Sequence, residues 1–208
     1  LDKENGYYPI VYLDRNGFRN DVKTRNLKDV DFVLIGDSYA ESYSVNNKNT
    51  MANTFISEGY STICLAKAGF GPLSKLATLV EYGGRYKPKN IIWFYCFNDL
   101  SDLRLELNSK ILKKYLYEKN YKQNLYSKQS QIDKILKNYE FSEKQKYDDK
   151  NKREIISNNS ILRIIRLFNV RSRLIIKKDE SDKIESVKPN YDIFKGIIKK
   201  ANQIIKEW

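Results

Sequence analysis

VDFVLIGDS, residues 30–38, is the stretch of sequence that decides the fold. It joins an apolar, β-branched run to a Gly-Asp-Ser turn, and a helical pattern follows it. Two similar runs come later, YSTICL at residues 60–65 and NIIWFYCF at residues 90–97. Near-continuous apolar strands separated by helices are typical of parallel strands that are buried on both faces. The sequence therefore predicts an α/β protein whose residues 30–103 form a βαβαβ core, the first half of a doubly wound sheet.

The rest of the chain is predicted to be helical around this core. Residues 1–29 lead into the first strand, residues 104–188 form a helical insertion without Pro or Gly, and residues 189–208 return to the core as a helix. Apolar residues recur at helical spacing in the following stretches: 103–116, 132–139, 155–167 and 191–208. Residues 140–153 have few apolar side chains, which predicts an exposed turn or a frayed link.

The positive charge is concentrated in the insertion. The chain has 38 Lys and Arg against 26 Asp and Glu, a net charge of +12, and ten of these charges fall within residues 104–188. The lysines are spread around the helices and mixed with acidic residues, so no basic stripe for nucleic acid or anionic lipid emerges. We interpret the segment as a solvated helical insertion and expect no nucleic-acid partner. An alternative is that it caps a site on the core and helps to bind an anionic glycan.

The chain contains no histidine. Imidazole is the usual general base near neutral pH and a common zinc ligand, so a self-contained Ser-His-Asp hydrolase and a His-ligated zinc enzyme are excluded. We expect no metal and no cofactor. No apolar run approaches the roughly 18 to 20 residues of a membrane span. The chain begins at Leu1 rather than Met, which leaves a preceding signal or membrane anchor open.

Candidate functional residues lie at the ends of the three predicted strands. Ser38 follows the first strand, Gly69 and Gly71 lie in the loop after the second, and Asn98 follows the third. The Ser38 N–H, an N–H of the glycine loop and the Asn98 amide would form a three-donor oxyanion hole beside the Ser38 hydroxyl. The alternative for each is local: Asp37, Ser38, Asn98 and Asp99 as helix caps, and Gly71-Pro72 as a turn that opens a helix.

These blocks resemble those of the SGNH (GDSL-like) hydrolases over residues 31–102. IGDSYAES resembles the nucleophile block, AKAGFGP the glycine block, and FYCFNDL the block that ends in Asn-Asp. The segment NGFRN at residues 16–20 and the phrase YKPKNIIWFYCFNDL are similar to the branch tied to O-acetylation of cell-envelope polysaccharides. The resemblance implies a flavodoxin-like three-layer sandwich with a parallel sheet.

The resemblance also implies a mechanism. Ser38 would be the nucleophile and one oxyanion donor, Gly69 the backbone donor, with Gly71 as its alternate, and Asn98 the side-chain donor. The reaction would be that of an esterase or O-acetyltransferase on acylated carbohydrate, through an acyl-serine. A periplasmic or cell-envelope location is favoured, and a cytoplasmic one stays open. In this fold the Ser38 strand lies between those of Cys64 and Cys96, two spacings of about 4.8 Å apart, so both thiols should be unpaired.

The sequence departs from the family at its end. The family's C-terminal Asp-x-x-His motif is absent, and the chain stops at a helix where two more strands are expected. We expect a C-terminally incomplete domain, a fragment that lacks the histidine base and has little activity of its own. The alternative is a non-catalytic pseudoenzyme, a carbohydrate-binding or scaffold protein that uses the same cleft.

Overall fold

The structure is a computed structural model that describes residues 9–21, 24, 27–158 and 190–208, with the side chains of 148–158 excepted. The chain divides into two compact units. One comprises Leu1–Ser127 and Lys188–Trp208, and the other comprises Lys128–Val187. The first unit holds the sheet and all three candidate strand-end loops.

The sheet has three parallel strands in the order β2-β1-β3. The strands are β1 (Phe32–Ile35), β2 (Thr62–Cys64) and β3 (Asn90–Trp93). In the register, Val33 of β1 lies opposite Ile63 of β2 and Ile91 of β3. The predicted α/β class and parallel sheet are confirmed, with the Ser38 strand in the centre.

Seven α-helices lie in the part of the chain that the structure describes. They are α1 (Ser38–Glu41), α2 (Met51–Ser57), α3 (Pro72–Tyr82), α4 (Asp99–Glu106), α5 (Lys110–Tyr117), α6 (Gln129–Asn158) and α7 (Tyr191–Ile205). Short 3₁₀ turns occupy Asn47–Asn49, Gly83–Tyr86 and Leu125–Lys128. Thr50 and Ser109 cap α2 and α5 with their hydroxyls, and Pro72 opens α3.

Helices cover both faces of the sheet. Successive strand residues point to opposite sides, so apolar residues of β1 pack against helices on each face. Val33 and Ile35 pack into the larger core cluster, to which α3, α4, α5 and α7 contribute. Leu34 packs on the other face with Ala40 of α1 and Ala52 of α2. The arrangement is compatible with a three-layer α/β/α sandwich.

The third strand differs from the prediction. Burial on both faces holds for most of β1 and for β2, but β3 is only half-buried and its first residue is exposed. Among the described residues, β3 pairs with β1 alone, as β2 does at the other edge of the sheet. The apolar run at residues 90–97 also leaves the sheet after Trp93, and Tyr95 and Phe97 are exposed.

The helical predictions also need correction. The expected link at residues 140–153 is wrong, because α6 continues through it. Its Glu, Lys and Gln residues are good helix formers even without an apolar stripe. The pattern at 103–116 divides into α4 and α5, both in the unit of the sheet, and the second unit begins at Lys128.

The C-terminal helix ends at Ile205, not at residue 208. The predicted helix at residues 155–167 lies outside the described residues beyond Asn158. Across the described ranges, none of the helices combines the length and apolar character that a membrane crossing requires.

Candidate active site

The sheet topology brings the three candidate loops to one edge. Ser38 is the first residue of α1, Gly69 lies in the loop between β2 and α3, and Asn98 immediately precedes α4. The carboxyl ends of parallel neighbouring strands meet at the same sheet edge, where ligands bind in open α/β folds. The Ser38 turn therefore lies between the other two loops.

Close packing shapes the Ser38 turn. A Cβ on Gly36 would lie 2.5 Å from the Ala40 Cβ and 3.1 Å from the Phe94 Cβ, so only glycine fits there. The Asp37 carboxylate accepts a hydrogen bond from the Tyr39 N–H at 3.0 Å and caps α1. Ser38 is half-buried, and in the described part of the chain no hydrogen bond engages its hydroxyl. The cap role thus falls to Asp37 and leaves the hydroxyl available.

Hydrogen bonding in the glycine loop distinguishes the two candidate backbone donors, Gly69 and Gly71. The Gly71 N–H donates to Glu106 Oε1 at 3.0 Å, and this carboxylate also accepts from the N–H groups of Leu73 and Ser74 at 2.8 and 3.0 Å. Burial raises the pKa of Glu106, and these donors oppose the shift. Gly71 is therefore committed to the start of α3. Gly69 is exposed, has φ +83°, and its N–H meets no acceptor among the described residues.

The Asn98 side chain is held by its own helix. The side-chain Nδ2 of Asn98 donates to Asp102 Oδ2 at 2.7 Å, while the backbone carbonyl of Asn98 accepts from the Asp102 N–H at 2.9 Å. A side-chain amide carries two hydrogens, so the bond to Asp102 orients Asn98 and leaves one hydrogen available.

A pocket of about 610 Å³ opens beside Ser38. Its lining is uncharged, with Ser38 joined by the following residues: Tyr39, Ser42, Tyr43, Ser44, Val45, Asn49, Met51 and Thr54. Gly69 and Asn98 do not line this pocket. Ser38 therefore belongs both to the predicted oxyanion residues and to the lining of a neutral, hydroxyl-rich cavity formed by α1, α2 and their connection.

A buried ionic cluster that the sequence interpretation missed lies beneath these turns. The Lys75 Nζ donates to both oxygens of Asp99 at 2.6 and 2.8 Å and to the Phe94 carbonyl at 3.1 Å. It also lies 3.8 Å from Asp37 Oδ2. Lys75 and Asp99 are fully buried, and Asp37 is 2% exposed. Burial raises the pKa of Asp99, and the ammonium opposes this.

The NGFRN segment braces the loop after α1. The buried Arg19 guanidinium donates to the carbonyls of Ser42 and Val45, and its Nε donates to Asn47 Oδ1 at 2.9 Å. Burial lowers the pKa of Arg19, and nearby Glu41 opposes this. The segment that carried the resemblance to the O-acetylation branch is therefore a structural support for one wall of the Ser38 pocket.

Glu41 connects the first two strand-end loops. This buried carboxylate accepts from the Ala68 N–H at 2.6 Å and from the Lys67 ammonium at 2.8 Å. Since Glu41 ends α1 and Ala68 directly precedes Gly69, the bond links the Ser38 helix to the glycine loop.

Asn20 completes the outer edge of β2. Its amide accepts from the Cys64 N–H at 2.8 Å and donates to the Cys64 carbonyl at 2.9 Å, as a neighbouring strand would. Cys64 and Cys96 are both free, in agreement with the expected strand order. Burial raises the pKa of Cys64 to about 11, so this thiol is not a nucleophile near neutral pH.

One sequence signal pointed to the buried lysine. Lys75 lies three residues after Pro72 and four before Leu79, on the face of α3 that packs inward. A charged residue at an apolar helical position requires a buried partner. Asp99, interpreted only as a cap, is that partner.

Within the described ranges, no group of three or more His, Cys, Asp or Glu side chains could hold a metal ion. No match was found when the chain was compared with protein-family models, with curated proteins and with solved structures.

Proposed function

We propose that this chain carries the acyl-binding half of an SGNH-type serine esterase or O-acetyltransferase site that acts on acylated carbohydrate. The observation that carries the proposal is the placement of Ser38, Gly69 and Asn98 at consecutive carboxyl ends of one parallel sheet. Each brings a suitable group: an unengaged hydroxyl, an unengaged N–H, and an oriented amide with a hydrogen to spare.

In the proposed reaction, the Ser38 Oγ attacks the acyl carbonyl carbon and its proton passes to a base. The carbonyl π electrons move to oxygen, where the N–H groups of Ser38 and Gly69 and the Asn98 amide donate hydrogen bonds. Collapse of this intermediate breaks the ester C–O bond, and the departing alkoxide takes up a proton. Water or a sugar hydroxyl then attacks the acyl-serine carbonyl and gives up its proton. The acyl–Oγ bond breaks, Ser38 Oγ takes up a proton, and the acid or the transferred ester is released.

The base is not a histidine of these 208 residues, since the sequence has none. This makes a chemical test direct, because added imidazole can serve as the base without competition from an internal one. The pocket beside Ser38 is large enough to admit such a small molecule.

The experiment measures hydrolysis of p-nitrophenyl acetate by the chain with and without imidazole. We expect an imidazole-dependent, ester-saturable component and an acetyl group on Ser38 by mass spectrometry. Ser38→Ala should abolish both. Ser44→Ala, which changes another serine of the same pocket, should retain both. Equal imidazole-dependent rates in the wild type and Ser38→Ala, after subtraction of the free-imidazole rate, would reject Ser38 as nucleophile.

A second candidate is a non-catalytic carbohydrate-binding protein that uses the same cleft. Exposed aromatic rings favour it: Tyr39, Tyr95 and Phe97 are 66%, 54% and 84% exposed and follow β1 and β3. Flat aromatic faces beside neutral hydroxyl groups suit an uncharged sugar. This candidate predicts that Ser38→Ala still binds a chito-oligosaccharide in calorimetry and that Tyr39→Ala does not. Absence of heat with Ser38→Ala, or equal heats with Ser38→Ala and Tyr39→Ala, would reject it.

A further inference from the structure

The Lys75 cluster is more elaborate than α3 requires for packing. All three ammonium hydrogens have acceptors, two on Asp99 and one on the carbonyl of Phe94, the residue after β3. Asp37 Oδ2 has no hydrogen-bond partner within the described residues and lies 3.8 Å from the ammonium. The charge of Lys75 is thus the nearest compensation for a carboxylate oxygen that is removed from water.

The two carboxylates occupy particular positions in the sequence. Asp37 directly precedes Ser38, and Asp99 directly follows Asn98. Lys75 itself lies one turn into α3, and its N–H donates to the Gly71 carbonyl of the glycine loop at 3.0 Å. One side chain therefore contacts residues adjacent to the nucleophile and to the amide donor, from the helix that the glycine loop opens.

We propose that Lys75 is a positioning residue, which fixes the spacing between the Ser38 turn and the Asn98 turn through its paired contacts with Asp37 and Asp99. The inference rests on the proposed function for its catalytic meaning. The physical link between the two turns is independent of that function. Lys75 is fully buried and does not reach the pocket, so it acts on the reaction through its neighbours.

Removing the ammonium leaves two carboxylates buried without compensation, so Lys75→Met alone risks misfolding. Lys75→Met/Asp99→Asn also removes one of these charges, and should fold while it still lacks the link. Lys89→Met is the matched control, because it breaks another lysine–aspartate pair, with Asp31 at 2.8 Å, at the opposite end of the same strands.

The first measurement is hydrogen exchange in the native state. We expect the peptides that cover residues 36–41 and 98–102 to exchange about fivefold faster or more in the double variant, both together, with β1 unchanged. The Lys89→Met protein should exchange like the wild type in both peptides. Faster exchange in only one turn, or in neither, overturns the inference.

The second measurement is the imidazole-dependent, Ser38-dependent turnover. We expect kcat to fall roughly ten- to a hundredfold in the double variant with KM little changed, because a misplacement on the order of 1 Å has costs of this size. Unchanged kcat in a double variant whose two turns do exchange faster overturns the positioning role. If the wild type shows no Ser38-dependent turnover, the proposed function fails, and hydrogen exchange alone decides whether Lys75 links the turns.

Discussion

Replacing Asn20 with alanine should lower the free energy of unfolding by about 3 kcal/mol. The side chain is 8% exposed and makes three hydrogen bonds, two with the Cys64 backbone and one from its Nδ2 to Asp14 Oδ2 at 2.9 Å. Each such bond contributes about 0.5 to 1.5 kcal/mol. Three such bonds together contribute about 1.5 to 4.5 kcal/mol. The change also leaves the buried Cys64 N–H and carbonyl without partners, which places the expected cost at the middle of that range or above.

The assay is equilibrium unfolding in urea, followed by far-UV circular dichroism. With a slope of about 2 kcal/mol per molar urea, the midpoint should fall by roughly 1.5 M. Asn90→Ala is the control, since it removes an exposed asparagine on β3 that makes one bond, from its Nδ2 to the Asp31 carbonyl at 3.2 Å. Its midpoint should move by less than about 0.3 M.

Asn20→Asp separates hydrogen bonding from volume. Aspartate has nearly the same shape and still accepts from the Cys64 N–H, but it cannot donate to the Cys64 carbonyl, and it brings a second carboxylate to Asp14. We expect it to be at least as destabilising as Asn20→Ala. If Asn20→Ala matches Asn90→Ala, or Asn20→Asp matches the wild type, the amide does not complete the edge of β2 and the reasoning is refuted.

Three further outcomes are expected, each read from urea unfolding. Gly36→Ala should cost about 2 kcal/mol or more because its Cβ would meet the Ala40 Cβ at 2.5 Å; a stability equal to the wild type contradicts this. Glu106→Gln should cost about 1 to 2 kcal/mol because one oxygen cannot serve three N–H donors; no loss would show that the carboxylate is not the cap. A hydrogen bond from the Lys89 ammonium, and after it those from Ser61, lower the pKa of Asp31 to about 2. The stability that ionised Asp31 contributes is therefore present above about pH 4 and is lost as the pH falls towards 2. Asp31→Asn should flatten the pH dependence in that window, and an unchanged slope would exclude Asp31.

The sequence was informative where structure depends on local pattern. The apolar runs at residues 30–35, 60–65 and 90–97 predicted the strands, and the residues after them predicted which loops share an edge, because parallel strands place their carboxyl ends together. Strand lengths and the exposure of β3 were missed, since burial depends on which neighbours a strand has. Apolar periodicity does not predict the continuity of α6, because its Lys and Glu residues favour a helix by propensity and not by an apolar stripe.

The sequence predicted the strand-end residues of the candidate site and missed the fully buried ones. Ser38, Gly69 and Asn98 could be chosen because turn chemistry is visible in short motifs. Lys75 bonds to Asp99, 24 positions away in the sequence, and Glu106 bonds to Gly71, 35 positions away. Only packing brings the two residues of each pair together. Gly71 shows the difference: as a motif residue it competed with Gly69, and the bond of its N–H to Glu106 Oε1 separates the two.

The buried charges help to distinguish a cluster that positions the proposed acyl-transfer site from a cluster that only stabilises the fold. A hydrophobic cluster of similar volume is often as stabilising as a buried ion pair, or more so. Stability alone is therefore a weak reason for Lys75 to lie between Asp37 and Asp99 with no exposed surface. What the pairing supplies is direction, because the Lys75 ammonium holds Asp99 by two hydrogen bonds and attracts Asp37 Oδ2 from 3.8 Å, which apolar contacts do not do. If Lys75→Met/Asp99→Asn unfolds at the same urea concentration as the wild type yet loosens both turns, the cluster is a device for spacing Ser38 from Asn98.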